Sequence, residues 1–301
     1  MILIRVMGGL GNQMQQFALY EKLRSMGREA KLDLSWFHKE NQKGVAAPRE
    51  LELTRFTGLT IEACTNAERD RFLNRGPLAK ALLTLWNGAP VFTEREMYHP
   101  EIFDFTEKYI EGYFACEKYY ADRLPVLRDL FVFPAAARQE RQLANTELMN
   151  EMEERHSVSV HVRRGDYLSK DNAALFGNIT TDAYYESAMA IFIAREPRTH
   201  FYLFSDDPAY VKEKYPNRDR FTVVEGNAGR ESMLDMQLMS HCHGNICANS
   251  TFSFWGARLN PHPDKVTMRP LVMRNNQPAE PGRMHELWAG WTLIDNTGRV
   301  V

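Results

Sequence analysis

Ser157-Val158-Ser159-Val160-His161-Val162-Arg163-Arg164-Gly165-Asp166-Tyr167 alternates for six positions and then breaks into two arginines and a glycine. A period of two marks a strand, and the strand ends at Val162. The pattern then continues toward the C-terminus. A helix is expected over Thr181–Ala194, capped by Thr180 or Thr181, followed by a strand at His200–Phe204 and a helix at Pro208–Lys214 behind Asp206-Asp207. Phe221–Val224 reads as a strand, Arg230–His241 as an amphipathic helix and Asn245–Ala248 as a strand. Ser250–Leu259 reads as a helix capped by Asn249 or Ser250, and Lys265–Met268 as a last strand. Five strands with interleaved helices predict a parallel sheet covered on both faces, a Rossmann-like unit.

The N-terminus opens a second such unit. Ile2–Met7 is a short apolar run, Gly8-Gly9-Leu10-Gly11 is a turn, and Asn12–Met26 is helical, with Met14, Phe17, Tyr20, Leu23 and Met26 on one face and Gly27 as its stop. Ala30–Leu34 is the next strand. The middle, residues 35–150, is punctuated by Pro48, Gly58, Gly76-Pro77 and Gly88-Ala89-Pro90 and is rich in aromatics between Phe92 and Phe133. Helices with irregular loops are expected there, in no readable order. The polar helical stretch Gln139–Glu154 marks a boundary, giving domains 1–150 and 151–301. Two α/β domains facing a central cleft would hold a ligand at the carboxyl ends of their strands.

Composition removes several classes. The 301 residues are 44% hydrophobic and 25% charged, which suits a folded core, and the net charge of −2 gives no basic excess for nucleic acid. The longest apolar run, Ala188–Ala194, is far short of the roughly 20 residues that span a bilayer. The first residues are too short and wrongly flanked for a signal peptide, so the chain is expected in the cytoplasm unless an anchor has been removed. Cys64, Cys116, Cys242 and Cys247 form no C-x-x-C pair, and the run His241-Cys242-His243 lacks a second ligand pair, so reduced thiols and no zinc site are expected.

Four segments carry chemistry. Arg163 and Arg164 stand at a strand end, where a guanidinium fork fits phosphate oxygens; the plainer alternative is a surface pair bridged to Asp166. Asn249-Ser250-Thr251-Phe252-Ser253 opens a helix whose free N–H groups and hydroxyls suit an anion, or is simply a Ser/Thr cap. Gly8-Gly9-Leu10-Gly11-Asn12-Gln13 is a tight turn with polar side chains, neither a Walker loop nor a complete G-x-G-x-x-G. Asp206 and Asp207 can accept from a ribose hydroxyl or a purine N–H, while one of them caps the helix after Pro208. No Asp-x-Asp occurs, so arginines would have to neutralise a leaving diphosphate.

Three of these segments, Gly8–Met14, His161–Tyr167 and Asn249–Gly256, resemble in order and spacing the bacterial α-1,2-fucosyltransferases of glycosyltransferase family 11. The resemblance covers nearly the whole chain. The His-x-Arg element is also similar to that of the α-1,6- and protein O-fucosyltransferases. The resemblance implies an α/β fold of GT-B type, in which the second domain holds GDP-β-L-fucose and the first lies on the acceptor side, with the C-terminal tail packed back on the first. It implies inverting transfer to O2 of a terminal galactose with no cofactor or metal. Arg163 and Arg164 would hold the pyrophosphate, and His161 would contact the guanosine. Asp206 or Asp207 would read guanine. Ser250, Thr251 and Ser253, in the segment with Asn249 and Phe252, would bind phosphate or fucose hydroxyls, and Asn12 would line the cleft.

The base that deprotonates the acceptor stays open among Asp171, Asp166 and the departing phosphate itself. An aspartate beside Arg164 has its pKa depressed and makes a poor base. Other sugar-nucleotide transferases of GT-B type, with a different sugar or linkage, and a non-catalytic nucleotide- or glycan-binding relative remain the competing readings. The family builds O-antigen or capsule, so a galactose-terminated, lipid-linked oligosaccharide is the expected acceptor, with peripheral contact at the inner face of the membrane. Aromatics of the middle segment, among them Trp36, Trp86, Phe92, Tyr98, Phe103, Phe105, Tyr113 and Tyr119, are candidates to stack on sugar rings, or core residues.

Overall fold

The computed structural model describes residues 1–44, 48–74, 89–277 and 279–301. Trp86 lies outside the described residues, as do the side chains of Asp166, Lys170 and Asp171. The chain forms two compact units, Met1–Pro134 and Ala135–Val301.

The first unit is built on a four-stranded parallel sheet. Its strands are β1 (Ile2–Arg5), β2 (Ala30–Asp33), β3 (Val91–Thr93) and β4 (Lys108–Glu111), in the order β2-β1-β4-β3. Ile2, Leu3 and Ile4 are wholly buried, as a parallel strand covered on both faces must be. Helix α1 (Leu10–Ser25) follows β1 through the expected glycine turn. It ends in a Schellman motif: Gly27, at φ +74°, donates to the Arg24 carbonyl, and Arg28 donates to that of Leu23. Helix α2 (Asn66–Leu73) starts at a capping box between Thr65 and Glu68, and α3 (Leu124–Leu130) closes the unit. The middle thus contributes two strands that its sequence did not announce. Three and four residues are too few to establish a period.

The second unit carries a six-stranded parallel sheet of order β10-β9-β8-β5-β6-β7. Its strands are β5 (Ser157–Val162), β6 (His200–Ser205), β7 (Phe221–Val223), β8 (Gly244–Ile246), β9 (Val266–Pro270) and β10 (Trp291–Ile294). Its helices are α4 (Gln139–Glu154), α5 (Lys170–Phe176), α6 (Asp182–Arg195), α7 (Pro208–Lys214), α8 (Met233–Ser240), α9 (Thr251–Leu259) and α10 (Pro281–Leu287). β5 is the central strand, and all six of its residues are buried. Val158, Val160 and Val162 pack with Tyr184, Tyr185 and Phe192 of α6. On the other face Tyr202 and Phe204 of β6 pack with Met152 of α4 and with Leu238 and Met239 of α8. Each such side chain contributes about 1.5–3 kcal/mol of apolar burial.

The α/β class is the one observed, with two units each built on a parallel sheet. Two details concern the boundary helix and the C-terminal residues. Helix α4, placed at the end of the first domain by a boundary at 150, belongs to the second unit, because Met152 enters that unit's core. The tail is part of the second unit as well. β10 adds a sixth strand beside β9, and Trp288 and Trp291 pack edge-on against Phe254 of α9, at 5.3 and 5.6 Å. Among the described residues no helix is long and apolar enough to cross a membrane.

Candidate active site

The site is assembled at the carboxyl end of β5. Tyrosine hydroxyls tie down the strand ends. Tyr185 donates to the His161 carbonyl (2.8 Å), Tyr184 to that of Cys247 (2.6 Å) and Tyr167 to that of Asn249 (2.9 Å). Ser205 at the end of β6 donates to the Val162 carbonyl (2.7 Å) and accepts from the Asp207 N–H (3.0 Å), locking the two ends together.

Just beyond them the two arginines meet the two aspartates. Arg163 Nη1 lies 3.0 Å from Asp206 Oδ2, and Arg164 Nε lies 3.1 Å from Asp207 Oδ2. The Arg164 N–H donates to Asp206 Oδ1 (2.9 Å), and Asp207 Oδ1 accepts from the Tyr210 N–H (3.2 Å) as the cap of α7. Every carboxylate oxygen of the pair therefore has a protein donor. Asp206 and Asp207 hold the arginines in place, and Asp207 also caps a helix. The Arg164 guanidinium lies over the Tyr210 ring at 3.5 Å, and its bond to Asp207 uses Nε and not the Nη1/Nη2 fork. Gly165 makes the ladder possible: a Cβ there would lie 2.3 Å from Asp206 Oδ2.

A pocket of about 490 Å³ opens beside the pair. Arg163, Arg164 and Lys214 supply three cations to its wall, Tyr167, Tyr210 and Thr181 supply hydroxyls, and Asn178 and Asn296 supply amides. Lys214 is ion-paired to Asp182. Sequence reasoning missed Tyr210, Lys214, Asn178 and Asn296. Tyr210 and Lys214 follow the acidic pair at i and i+4 on one helix face, which was the available signal.

His161 is almost fully buried against Phe252, ring centres 5.8 Å apart. Burial, helped by the Arg163 charge, pushes its imidazole down to about 3. It is neutral at any ordinary pH and cannot act as a base near neutrality. Its Nδ1 and the Oδ1 of Asn249 are buried without a hydrogen-bond partner, both at the ends of paired strands or just beyond them.

Residues 104–292 match the family described as Glycosyl transferase family 11. The chain belongs to that family. Within it, the O-antigen biosynthesis glycosyltransferase WbnK of Escherichia coli is 30% identical over 287 residues, 87% of this chain and 91% of that protein. An alpha-1,2-colitosyltransferase of Escherichia coli is 30% identical over 279 residues, 89% and 91% of the two chains. The galactoside alpha-(1,2)-fucosyltransferase 1 of Leontopithecus chrysomelas is 34% identical over 104 residues, 34% of this chain and 28% of that one. Among solved structures, the fucosyltransferase NodZ from Bradyrhizobium aligns with a TM-score of 0.47 at 16% identity, over 86% of this chain and 93% of that one.

The remaining expected residues of this family 11 glycosyltransferase fall as follows. Ser250 caps α9, its Oγ accepting from the Phe252 N–H at 3.4 Å. Ser253 is buried and donates back to the Ser250 carbonyl (3.2 Å), so its hydroxyl serves the helix start. Thr251, half-buried, is the first residue of α9. Asn249 bridges the carbonyls of Phe176 (3.1 Å) and Met273 (3.3 Å). Asn12 belongs to the first unit, on the first turn of α1 against Gly8. Asp166 and Asp171 are on the segment after β5, Asp166 in a short 3₁₀ turn and Asp171 in α5.

Proposed function

We propose that the chain transfers L-fucose from GDP-β-L-fucose to O2 of a terminal galactose in an O-antigen or capsule precursor, with inversion and without a metal ion. The observation that carries this reading is the Arg163–Arg164 pair, fixed by Asp206 and Asp207 beside a pocket that holds a third cation. A guanidinium pair at a strand end suits a diphosphate, and a diphosphate leaving group needs positive charge when no metal supplies it. In the transfer the C1–O bond to the β-phosphate breaks and its electron pair leaves with GDP. The galactose O2 forms the new bond to C1 from the opposite face. Its proton goes to Asp171, to Asp166 or to the departing diphosphate. His161 takes no part in that step, because its imidazole is buried and too weakly basic. Asp206 and Asp207 act as positioning residues.

A second reading is favoured by a specific observation. The colitosyltransferase matches over 89% of this chain, whereas the fucosyltransferase match spans 34%. Colitose is L-fucose without its 3-hydroxyl. A site built to bond that hydroxyl rejects the deoxy sugar by about 10⁴–10⁵, whereas an apolar site discriminates by only about 10². A donor panel of GDP-fucose, GDP-colitose and GDP-mannose with a β-galactoside acceptor separates the readings. Preferred transfer from GDP-fucose is expected. Preferred transfer from GDP-colitose selects the second reading, and transfer from none of the three rejects both.

A further inference from the structure

At the opposite end of β5 from the arginines, three potential metal ligands from distant parts of the chain converge. Glu153 comes from the last turn of α4, His243 from the link before β8, and His262 from the link after α9. One ligand atom from each lies within 4.8 Å of the others, and His262 Nε2 is 3.4 Å from Glu153 Oε2. Among the described residues this is the one such trio of histidine, cysteine, aspartate or glutamate.

The surroundings prepare these atoms. Ser157 Oγ gives its single proton to the Met152 carbonyl at 2.6 Å. It must therefore accept from His243 Nδ1, 3.2 Å away, which fixes the tautomer and leaves the Nε2 lone pair for an external partner. His241 Nδ1 lies 2.9 Å from Glu153 Oε1, so one carboxylate oxygen is held and the other faces His262. The His262 Nε2 atom is buried and makes no hydrogen bond. The His243 and His262 rings stack with centres 4.3 Å apart. Outer partners that orient an imidazole and a carboxylate are the support that bound metals require.

We propose that Glu153, His243 and His262 form a site for a borderline divalent transition ion of the zinc class. Two imidazole nitrogens and one carboxylate suit zinc, cobalt or nickel and disfavour the all-oxygen ions magnesium and calcium. Ligand distances of about 2.0–2.2 Å place tetrahedral donors roughly 3.3 Å apart, the present spacing of His262 and Glu153. Coordination by His243 requires its ring to turn out of the stack with His262. Bound there, the ion ties α4 to the two links at the amino edge of the second sheet. With the six residues of β5 between, it lies on the order of 15 Å or more from the arginine pair and takes no part in transfer.

The test uses the untagged full chain, stripped with EDTA and dialysed, then titrated calorimetrically with zinc chloride. One ion per chain at micromolar affinity or tighter is expected, with a rise in Tm and, when cobalt replaces zinc, the intense visible bands of a four-coordinate site. His243→Ala and His262→Ala should each weaken binding by at least about tenfold. Glu153→Gln, at an exposed helix end, repeats the test if a histidine variant does not fold. No zinc heat, or binding unchanged in these variants, overturns the site. GDP titration of the same stripped protein reports on the transferase reading separately, so the two proposals fail independently.

Discussion

The two units use the same device, a parallel strand running into a turn, for opposite ends. In the first, Gln13 and Gln16 at the start of α1 are consumed by the protein itself. Gln13 donates to the Gly8 and Glu50 carbonyls (2.8 and 2.9 Å) and accepts from the Glu52 and Leu53 N–H groups (2.8 and 3.2 Å). Gln16 donates to the Gly112 carbonyl and accepts from the Met7 N–H, both at 2.9 Å. Both glutamines are fully buried. In the second, the turn after β5 gathers charge beside a pocket, and Nδ1 of His161 in β5 and Oδ1 of Asn249 beyond β8 are buried without hydrogen-bond partners. A saturated turn stabilises a fold. A charged turn facing a cavity is prepared for a ligand.

The largest expected effect is at the charged turn. Arg164→Ala should lower kcat/KM by about 10²–10³, because the guanidinium meets charge that grows in the transition state. Arg164→Lys should recover only part of that, since an ammonium has no fork. Stability of both, read from chemical denaturation, should stay near wild type. The saturated turn should behave in reverse. Gln13→Ala orphans two N–H groups and two carbonyls and should cost about 2–3 kcal/mol of stability, with the affinity of the folded protein for GDP unchanged. If Gln13→Ala instead removed GDP binding at full stability, the contrast between the turns would be broken.

Gly165→Ala sharpens the picture. Its Cβ would push on the Asp206 carboxylate, so GDP affinity should fall by about tenfold while the fold survives, as calorimetry would show. The smallest effect is one of pH. His161 titrates near 6.5 when unfolded and near 3 when folded, so the native state binds fewer protons between these values. Its contribution to stability is complete above about pH 6.5 and is lost as pH falls toward 3. Between pH 7 and 5.5 wild type should lose about 1 kcal/mol in this way, and the loss should be absent from His161→Asn in urea titrations.

Much of this was legible in the sequence. The second sheet showed itself through Ser157–Val162 and the strands after it, because strands of regular spacing with helices between them leave a period. β3, β4 and β10 did not, being three or four residues long. The arginine pair was visible as charge at a strand end. What one dimension could not show was the pairing across 43 residues by which Asp206 and Asp207 hold Arg163 and Arg164. A hydroxyl at a helix start serves a ligand or its own backbone equally well, and Ser253 bonds the backbone. The run His241-Cys242-His243 has no second ligand pair near it in one dimension, and Glu153 and His262 come beside it only through the fold.

The central claim is that the arginine pair binds a diphosphate without help from a metal. Calorimetric titration of GDP and GDP-fucose in EDTA, on wild type and Arg164→Ala, tests it most directly. The account predicts micromolar binding to wild type in EDTA and a loss of at least tenfold in the variant. Binding that appears only after a divalent ion is added, or that is equally tight in Arg164→Ala, would contradict it.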